Sequence, residues 1–275
     1  MPAVRPILVG AVIYDPKVAV IWDIITRFFA SHGCAMDCVY YTNYELQVEA
    51  LIQRHIDIAW NSPLAWVDAQ RRTQGACSAL AMRDTDCDRV THVLVRTDSG
   101  ITSAEQLRGR IVATGALDSP QAKLLPIEHL SGLGLDPERD YTVRRHDVLV
   151  GKHGDHVGGE RDALDDLLAG RADAACVLDL NWALWSADGT ADPGQVRVLT
   201  STAPFDHCNF TVTPAFDRAR AAHWTRVLLS MDYANPEHRE MMDMEGLKRW
   251  LPGRATGYDA LTRATTAQHF FDEIA

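Results

Sequence analysis

The chain has 275 residues, enough for one large or two ordinary domains with real cores. Its 37 acidic side chains against 27 basic ones give a formal net charge of -10, which excludes a surface built to coat nucleic acid. No stretch approaches the ~20 consecutive apolar residues of a membrane helix, which excludes membrane insertion.

Met1–Val12 carries no basic segment, long apolar core and cleavage site, so a cytoplasmic address is expected of the sequence as it stands. A periplasmic or lipid-anchored address is expected instead if a signal has been removed. The six cysteines, Cys34, Cys38, Cys77, Cys87, Cys176 and Cys208, form no CxxC pair. Cys38, Cys77 and Cys176 fall in or beside apolar strand-like segments, as reduced thiols that pack as small hydrophobes do.

Strand and helix alternate from the start. Ile7–Ile13 reads as a strand. Apolar residues at helical spacing (Val20, Ile21, Ile24, Ile25, Phe28, Phe29) predict a helix that stops at Gly33. Met36–Tyr41 is a second strand, Tyr44–Gln53 a helix, Ile56–Trp60 a short strand, Leu64–Arg72 a helix and Ser78–Met82 a strand. The middle third repeats the logic, with strands at Thr91–Arg96, Arg110–Thr114, Tyr141–Arg145 and Ala172–Leu178. Its helices are Ser103–Leu107, a segment from Ser119 to about Gly132, and Arg161–Ala169. Strands at Val196–Leu199 and Phe210–Thr213 then lead to helices at Arg218–Met231 and Glu237–Met242.

This alternation predicts mostly parallel sheets covered by helices. No repeat or flexible linker divides the chain. We expect two lobes joined by crossing segments near Asp84–Arg96 and Ser201–Thr213. The first lobe takes residues 1–88 and 207–275, and the second takes 89–206.

Four segments in order resemble the phosphonate-binding substrate proteins of ABC transporters. They are Thr42-Asn43-Tyr44 with Ile56-Asp57-Ile58-Ala59-Trp60-Asn61-Ser62-Pro63, and Arg96-Thr97-Asp98-Ser99-Gly100-Ile101 leading through Leu107-Arg108-Gly109-Arg110. Leu125-Pro126 through Gly134-Leu135-Asp136-Pro137 is the third. Glu245-Gly246-Leu247-Lys248-Arg249-Trp250-Leu251-Pro252 with Gly257-Tyr258-Asp259 is the fourth. The resemblance implies the two-lobed α/β fold of type II periplasmic binding proteins, with two crossing strands as a hinge. It also implies a small-molecule ligand held between the lobes, hinge closure around it, and an ABC permease as partner.

By the resemblance, ligand contacts come from Tyr14 and Asp15, from Asn43 and Tyr44, and from Asn61 and Ser62. The strongest comes from the helix N-terminus after Thr114, where the family places hydroxyls and free backbone N–H groups that suit an oxyanion. Here that turn reads Asp118-Ser119-Pro120-Gln121-Ala122. Ser119 followed by Pro120 is an N-cap with proline at N1, which removes one donor, and Asp118 brings a carboxylate. The departure argues against a free phosphonate dianion and for a zwitterionic, amine-bearing or neutral polar ligand.

The stretch Gly151-Lys152-His153-Gly154-Asp155-His156-Val157-Gly158-Gly159 sets two histidines among four glycines, and His153 or His156 is a candidate ligand contact against the alternative of a solvated loop. Asp179 and Asn181 follow a predicted strand at the sheet edge where α/β proteins bind ligands. Trp182 and Trp185 read as packing. His153, His156 and His207 form a weak candidate metal set, with H-x-x-H in a loop as its only spacing signal. His207-Cys208 does not by itself signal a thiol nucleophile, because neighbours on a strand point to opposite faces.

No P-loop, G-x-G-x-x-G, G-x-S-x-G or H-E-x-x-H occurs, so no cofactor is expected. The expected function is binding of a small polar, anionic or zwitterionic solute. The alternative is a cytoplasmic enzyme on the same fold, in which His153, His156, His207 or Asp118 supplies acid–base chemistry.

Overall fold

A computed structural model describes residues 5–137, 139–154 and 157–272. Contacts group the chain into two compact units, one of Met1–Cys87 with Asp206–Gly257 and one of Asp88–Phe205 with Tyr258–Ala275.

In chain order the first unit opens with β1 (Ile7–Val12), α1 (Lys17–Ser31), β2 (Met36–Tyr41), α2 (Tyr44–Ile52), β3 (Ile58–Asn61), α3 (Pro63–Arg72), β4 (Ser78–Ala79) and β5 (Ala81–Arg83). The second holds β6 (Thr91–Arg96), β7 (Ile111–Thr114), α4 (Leu125–Gly132), β8 (Thr142–Arg145), α5 (Glu160–Leu168), β9 (Ala174–Leu178), α6 (Asp179–Ala187) and β10 (Val196–Ser201). The chain then returns to the first unit with β11 (Asn209–Val212), α7 (Arg218–Leu229), α8 (Pro236–Met244) and β12 (Trp250–Pro252). It ends in the second with α9 (Asp259–Ala267).

The two main sheets have the same topology. The first runs β2-β1-β3-β11-β4, and the second, read from its other edge, runs β8-β7-β9-β6-β10. In each, three strands are parallel in the order second, first, third. The next strand is antiparallel, and it is the one the chain enters on crossing from the other unit, β11 in the first sheet and β6 in the second. The two crossing segments run side by side. Arg89 and Phe205 exchange backbone hydrogen bonds at 2.7 and 2.8 Å, and His207 N donates to Asp86 O at 2.8 Å.

The helices cover these sheets for the expected reason. The apolar stripe of α1 buries Val18, Ile21, Trp22, Ile25, Phe28 and Phe29. It meets an aromatic knot in which the Phe210 ring lies 4.5 Å from Trp60, 4.7 Å from Trp224 and 6.0 Å from Trp22. Met241 and Met242 of α8 are fully buried in the same core. In the second unit Trp185 is buried in a core cluster and Trp182 packs against that cluster, as expected. All six cysteines are free thiols, four of them buried. Burial pushes Cys38 and Cys176 up to about 12, which keeps them protonated and inert.

Three expectations change. The single strand expected over Ser78–Met82 is split at Leu80, so that β4 joins the main sheet through β11 while β5 pairs with β12. Where the sequence pattern assigns no element after the strand ending at Leu178, Asp179 opens α6. The tail beyond Tyr258, expected with the first lobe, groups with the second unit. There α9 buries Leu261, Ala264 and Thr265, and Gln268 Nε2 donates to Leu124 O at 2.8 Å. Among the described residues no helix is long and apolar enough to cross a membrane.

Candidate functional site

In each unit the C-terminal ends of the three parallel strands share one edge, and the expected ligand residues collect there. In the first unit the loop after β1 carries Tyr14 and Asp15, the turn after β2 carries Asn43, and β3 ends at Asn61 followed by Ser62.

Most of these side chains have structural work to do. Asn43 caps α2 by accepting from Leu46 N at 2.9 Å, and Ser62 caps α3 by accepting from Ala65 N at 3.1 Å. Tyr14 packs against the core, and Asp15 accepts from Lys17 N. Asn61 is fully buried. Its Oδ1 accepts from Gln47 Nε2 at 2.9 Å and its Nδ2 donates to Thr211 Oγ1 at 3.0 Å, which passes its proton to Asn209 Oδ1 at 2.7 Å. Gln47 also donates to Trp60 O. This chain ties α2, β3 and β11 together. Tyr44, the first residue of α2, is buried.

In the second unit the turn after β7 carries Asp118, Ser119 and Gln121, the loop after β8 carries His153, and β9 leads to Asp179 and Asn181. His156 lies outside the described residues. Ser119 caps a π-helical turn, Pro120–Leu124, by accepting from Ala122 N at 3.1 Å. The glycine-rich loop folds onto this turn. Asp118 Oδ2 accepts from Gly151 N at 2.7 Å and His153 N at 3.2 Å, and Gln121 Nε2 donates to Gly154 O at 2.9 Å. Gly158 O accepts from Ala116 N.

Glycine is required where the loop doubles back. A Cβ on Gly154, at φ +61°, would lie 2.7 Å from Ser119 Oγ, and one on Gly158 would lie 2.3 Å from Gly154 O. The loop is thus a packed lid on Asp118–Gln121. His153 is itself buried, at φ +52°.

The electrostatics of this edge are those of acceptors. Asp118 is buried, and its Oδ1 has no hydrogen-bond partner among the described residues. Burial pushes its carboxyl above the usual carboxylate range, against the opposing pull of His153 and its backbone bonds. Asp179 Oδ2 lies 3.4 Å from Arg89 Nη1, and its buried Oδ1 has no hydrogen-bond partner among the described residues.

Glu160, at the first position of α5, has no sequence signal beyond an ordinary first-turn acid after glycine, and sequence reasoning passes over it. It is fully buried, and Oε2 accepts from Leu178 N at 2.7 Å and Asn181 Nδ2 at 2.9 Å. Burial pushes its carboxyl up to about 8. The Gln121 side chain neighbours it at hydrogen-bonding range, and Gln121 Oε1 and Glu160 Oε1 both lack a donor.

His207 belongs to the first unit, whereas Asp118 and His153 belong to the second. The His207 Nδ1 lies 3.1 Å from Cys208 Sγ and 3.6 Å from Asp86 Oδ1. The expected opposition of His207 and Cys208 fails because both precede β11 and lie on irregular backbone. Burial alone would push the Asp86 carboxyl up. The Arg83 charge and hydrogen bonds from His207 and Arg83 instead hold it well below the usual carboxylate range.

A sequence profile of the family described as "ABC transporter, phosphonate, periplasmic substrate-binding protein" matches residues 24–258, well over half of the chain. The chain belongs to this family. The fold agrees. It resembles PhnD1 from Prochlorococcus marinus in complex with methylphosphonate (TM-score 0.70, 16% identity, 96% of this chain and 98% of that one). It also resembles a Xanthomonas citri protein bound to ATP (TM-score 0.73, 18% identity, 98% and 99%).

Both have the type II periplasmic-binding-protein fold, and members of this family bind solutes for ABC transporters. Curated relatives are similar over less of their length. A Haemophilus influenzae protein is 56% identical over 41 residues, which is 15% of this chain and 58% of that protein. The tetrathionate sensor histidine kinase TtrS of Salmonella typhimurium is 29% identical over 191 residues, which is 65% of this chain and 29% of the kinase.

Proposed function

We propose that this member of the family binds a small solute bearing a hydrogen-bond-donating, positively charged group, and that Asp118 receives that group. One observation carries the reading. At the turn where the resemblance implies an oxyanion, the Asp118 carboxylate already takes the Gly151 and His153 N–H donors, and Ser119 spends its oxygen on its own helix. An incoming dianion finds those donors occupied and meets a carboxylate. An ammonium group instead finds Asp118 Oδ1 and Asp179 Oδ1, two buried acceptors without a hydrogen-bond partner among the described residues. Ser119, Gln121 and His153 position Asp118, and Asn181 positions Glu160. On the first unit the strand ends at Tyr14, Asn43, Tyr44, Asn61 and Ser62 are the second proposed contact surface. An ABC permease is the proposed recipient of the solute, and the periplasm its proposed place of work, in line with the family.

Calorimetric titration with 2-aminoethylphosphonate and methylphosphonate tests this directly. The amine-bearing ligand is expected to bind at least tenfold tighter, and Asp118→Asn to erase that preference. Equal affinity for the two ligands, or tighter binding of methylphosphonate, would contradict the assignment.

The similarity to a sensor histidine kinase, at higher identity than the solved structures show, favours a second reading in which the same module reports a solute to a signalling partner. The acceptor-rich edge is a poor match for tetrathionate, which has no donor to offer. A thermal-shift response to tetrathionate that outweighs the response to 2-aminoethylphosphonate would turn the choice toward that reading.

A further inference from the structure

We propose that Asp86, His207 and Cys208, in the first unit, form a site for a soft divalent cation, with Zn2+ the ion its donor set suits best. A carboxylate oxygen, an imidazole nitrogen and a thiol sulfur are the three donor types that Zn2+ accepts, and three protein ligands leave a fourth position for water. The three donor atoms all lie within 4.8 Å of one another. His207 Nδ1 is 3.1 Å from Cys208 Sγ and 3.6 Å from Asp86 Oδ1. A tetrahedral ion with bonds of ~2.0–2.3 Å spaces its donors about 3.3–3.7 Å apart, so movements of up to about 1 Å bring the set onto one ion.

The outer contacts are those of a metal site. Arg83 holds Asp86 through Nε to Oδ2 at 2.7 Å, Nη2 to Oδ1 at 2.9 Å and its backbone N to Oδ2 at 3.2 Å. Oδ2 accepts two of these bonds and Oδ1 one, which leaves Oδ1 a lone pair for the ion. The Arg83 charge is balanced by Glu245, whose Oε2 lies 3.0 Å from Nη1. The Asp86 carboxylate and a Cys208 thiolate then balance a divalent ion. Asp86 and Cys208 are buried, while the His207 side chain keeps 12% exposure, a route for the ion to enter.

The location gives the site a purpose. Asp86 is two residues before the point where the chain leaves the first unit, and His207 and Cys208 come directly after it returns at Asp206. The His207 N to Asp86 O hydrogen bond joins these two segments. A bound ion would staple the roots of both crossings.

The test is Co2+ added to the chelator-treated full-length protein, followed by Zn2+ competition and metal analysis. Expected are a thiolate-to-cobalt charge-transfer band in the near ultraviolet, its loss on adding Zn2+, and about one Zn2+ retained per chain. Cys208→Ser should abolish the band, Cys87→Ser should keep it, and His207→Gln should weaken Zn2+ binding about tenfold or more. No thiolate band in the wild type, or a band that survives in Cys208→Ser, overturns the proposal. If Cys208→Ser does not fold, the wild-type spectrum and the more exposed His207→Gln decide it.

Discussion

Glu160 offers a quantitative check on the acceptor-rich edge of the second unit. Its carboxyl rises from an ordinary 4.5 to about 8 on burial, so the folded protein holds a proton that the unfolded chain releases above pH 4.5. The sign follows. Between pH 4.5 and 8 the native state binds more protons, so stability is fully present below the unfolded value and is lost as pH rises through this window. At about 1.4 kcal/mol per pH unit the loss approaches about 5 kcal/mol, and about 3 kcal/mol of it has accrued by pH 7.

Glu160→Gln removes the titration and leaves the geometry. The amide oxygen takes the place of Oε2, accepting from Leu178 N and Asn181 Nδ2. Urea unfolding of both proteins at pH 5 and pH 8, followed by circular dichroism, is the assay. The variant should match the wild type within about 1 kcal/mol at pH 5 and exceed it by about 3 kcal/mol or more at pH 8. Parallel pH profiles for the two proteins would refute the claim that Glu160 is protonated in the fold.

Other expectations can be checked with the same methods. Asn61→Ala strands Gln47 and Thr211 in the core and should cost about 2–3 kcal/mol of unfolding free energy by urea titration. Gly154→Ala places a methyl 2.7 Å from Ser119 Oγ at φ +61°, and should lower both the melting temperature and the affinity for 2-aminoethylphosphonate, through displacement of the loop from Asp118. Affinity for that ligand should also fall on acidification at a higher pH than an ordinary aspartate would give, because the Asp118 carboxyl is raised and its neutral form no longer attracts an ammonium group. An affinity flat down to the ordinary aspartate range would argue against Asp118. Arg254→Gln removes the partner of the buried Asp206, now bonded through Nε and Nη2 at 2.6 Å each, and should cost about 3 kcal/mol.

Much of the fold is legible in the sequence because periodicity and burial are local. Of the apolar stripe Val20, Ile21, Ile24, Ile25, Phe28 and Phe29, the residues Ile21, Ile25, Phe28 and Phe29 form the buried face of α1 while Val20 is exposed, and the strand Ile58-Ala59-Trp60-Asn61 is buried at every position, as a central strand requires. The terminal helix α9 and the short β12 do not stand out in the sequence pattern. Each is stabilised by the element it packs on, α4 for the one and β5 for the other.

For the site, the residues gathered at the two strand-end edges were legible from chain order and turn chemistry, since parallel strands of a βαβ series deliver their C-terminal loops to one edge. What those residues do was decided by tertiary structure. Nothing in Asp118-Ser119-Pro120 says that the carboxylate consumes the loop's own N–H donors, or that Asn61 spends both ends of its amide on Gln47 and Thr211. Asp86 and Cys208 are separated by more than a hundred residues, and only the pairing of the two crossing segments brings their donor atoms within 4.8 Å. A sequence specifies which groups can donate, accept or ionise. Whether a group is spent, orphaned or buried depends on partners from distant parts of the chain, and hydrogen bonding and desolvation act only over the few ångströms that folding closes.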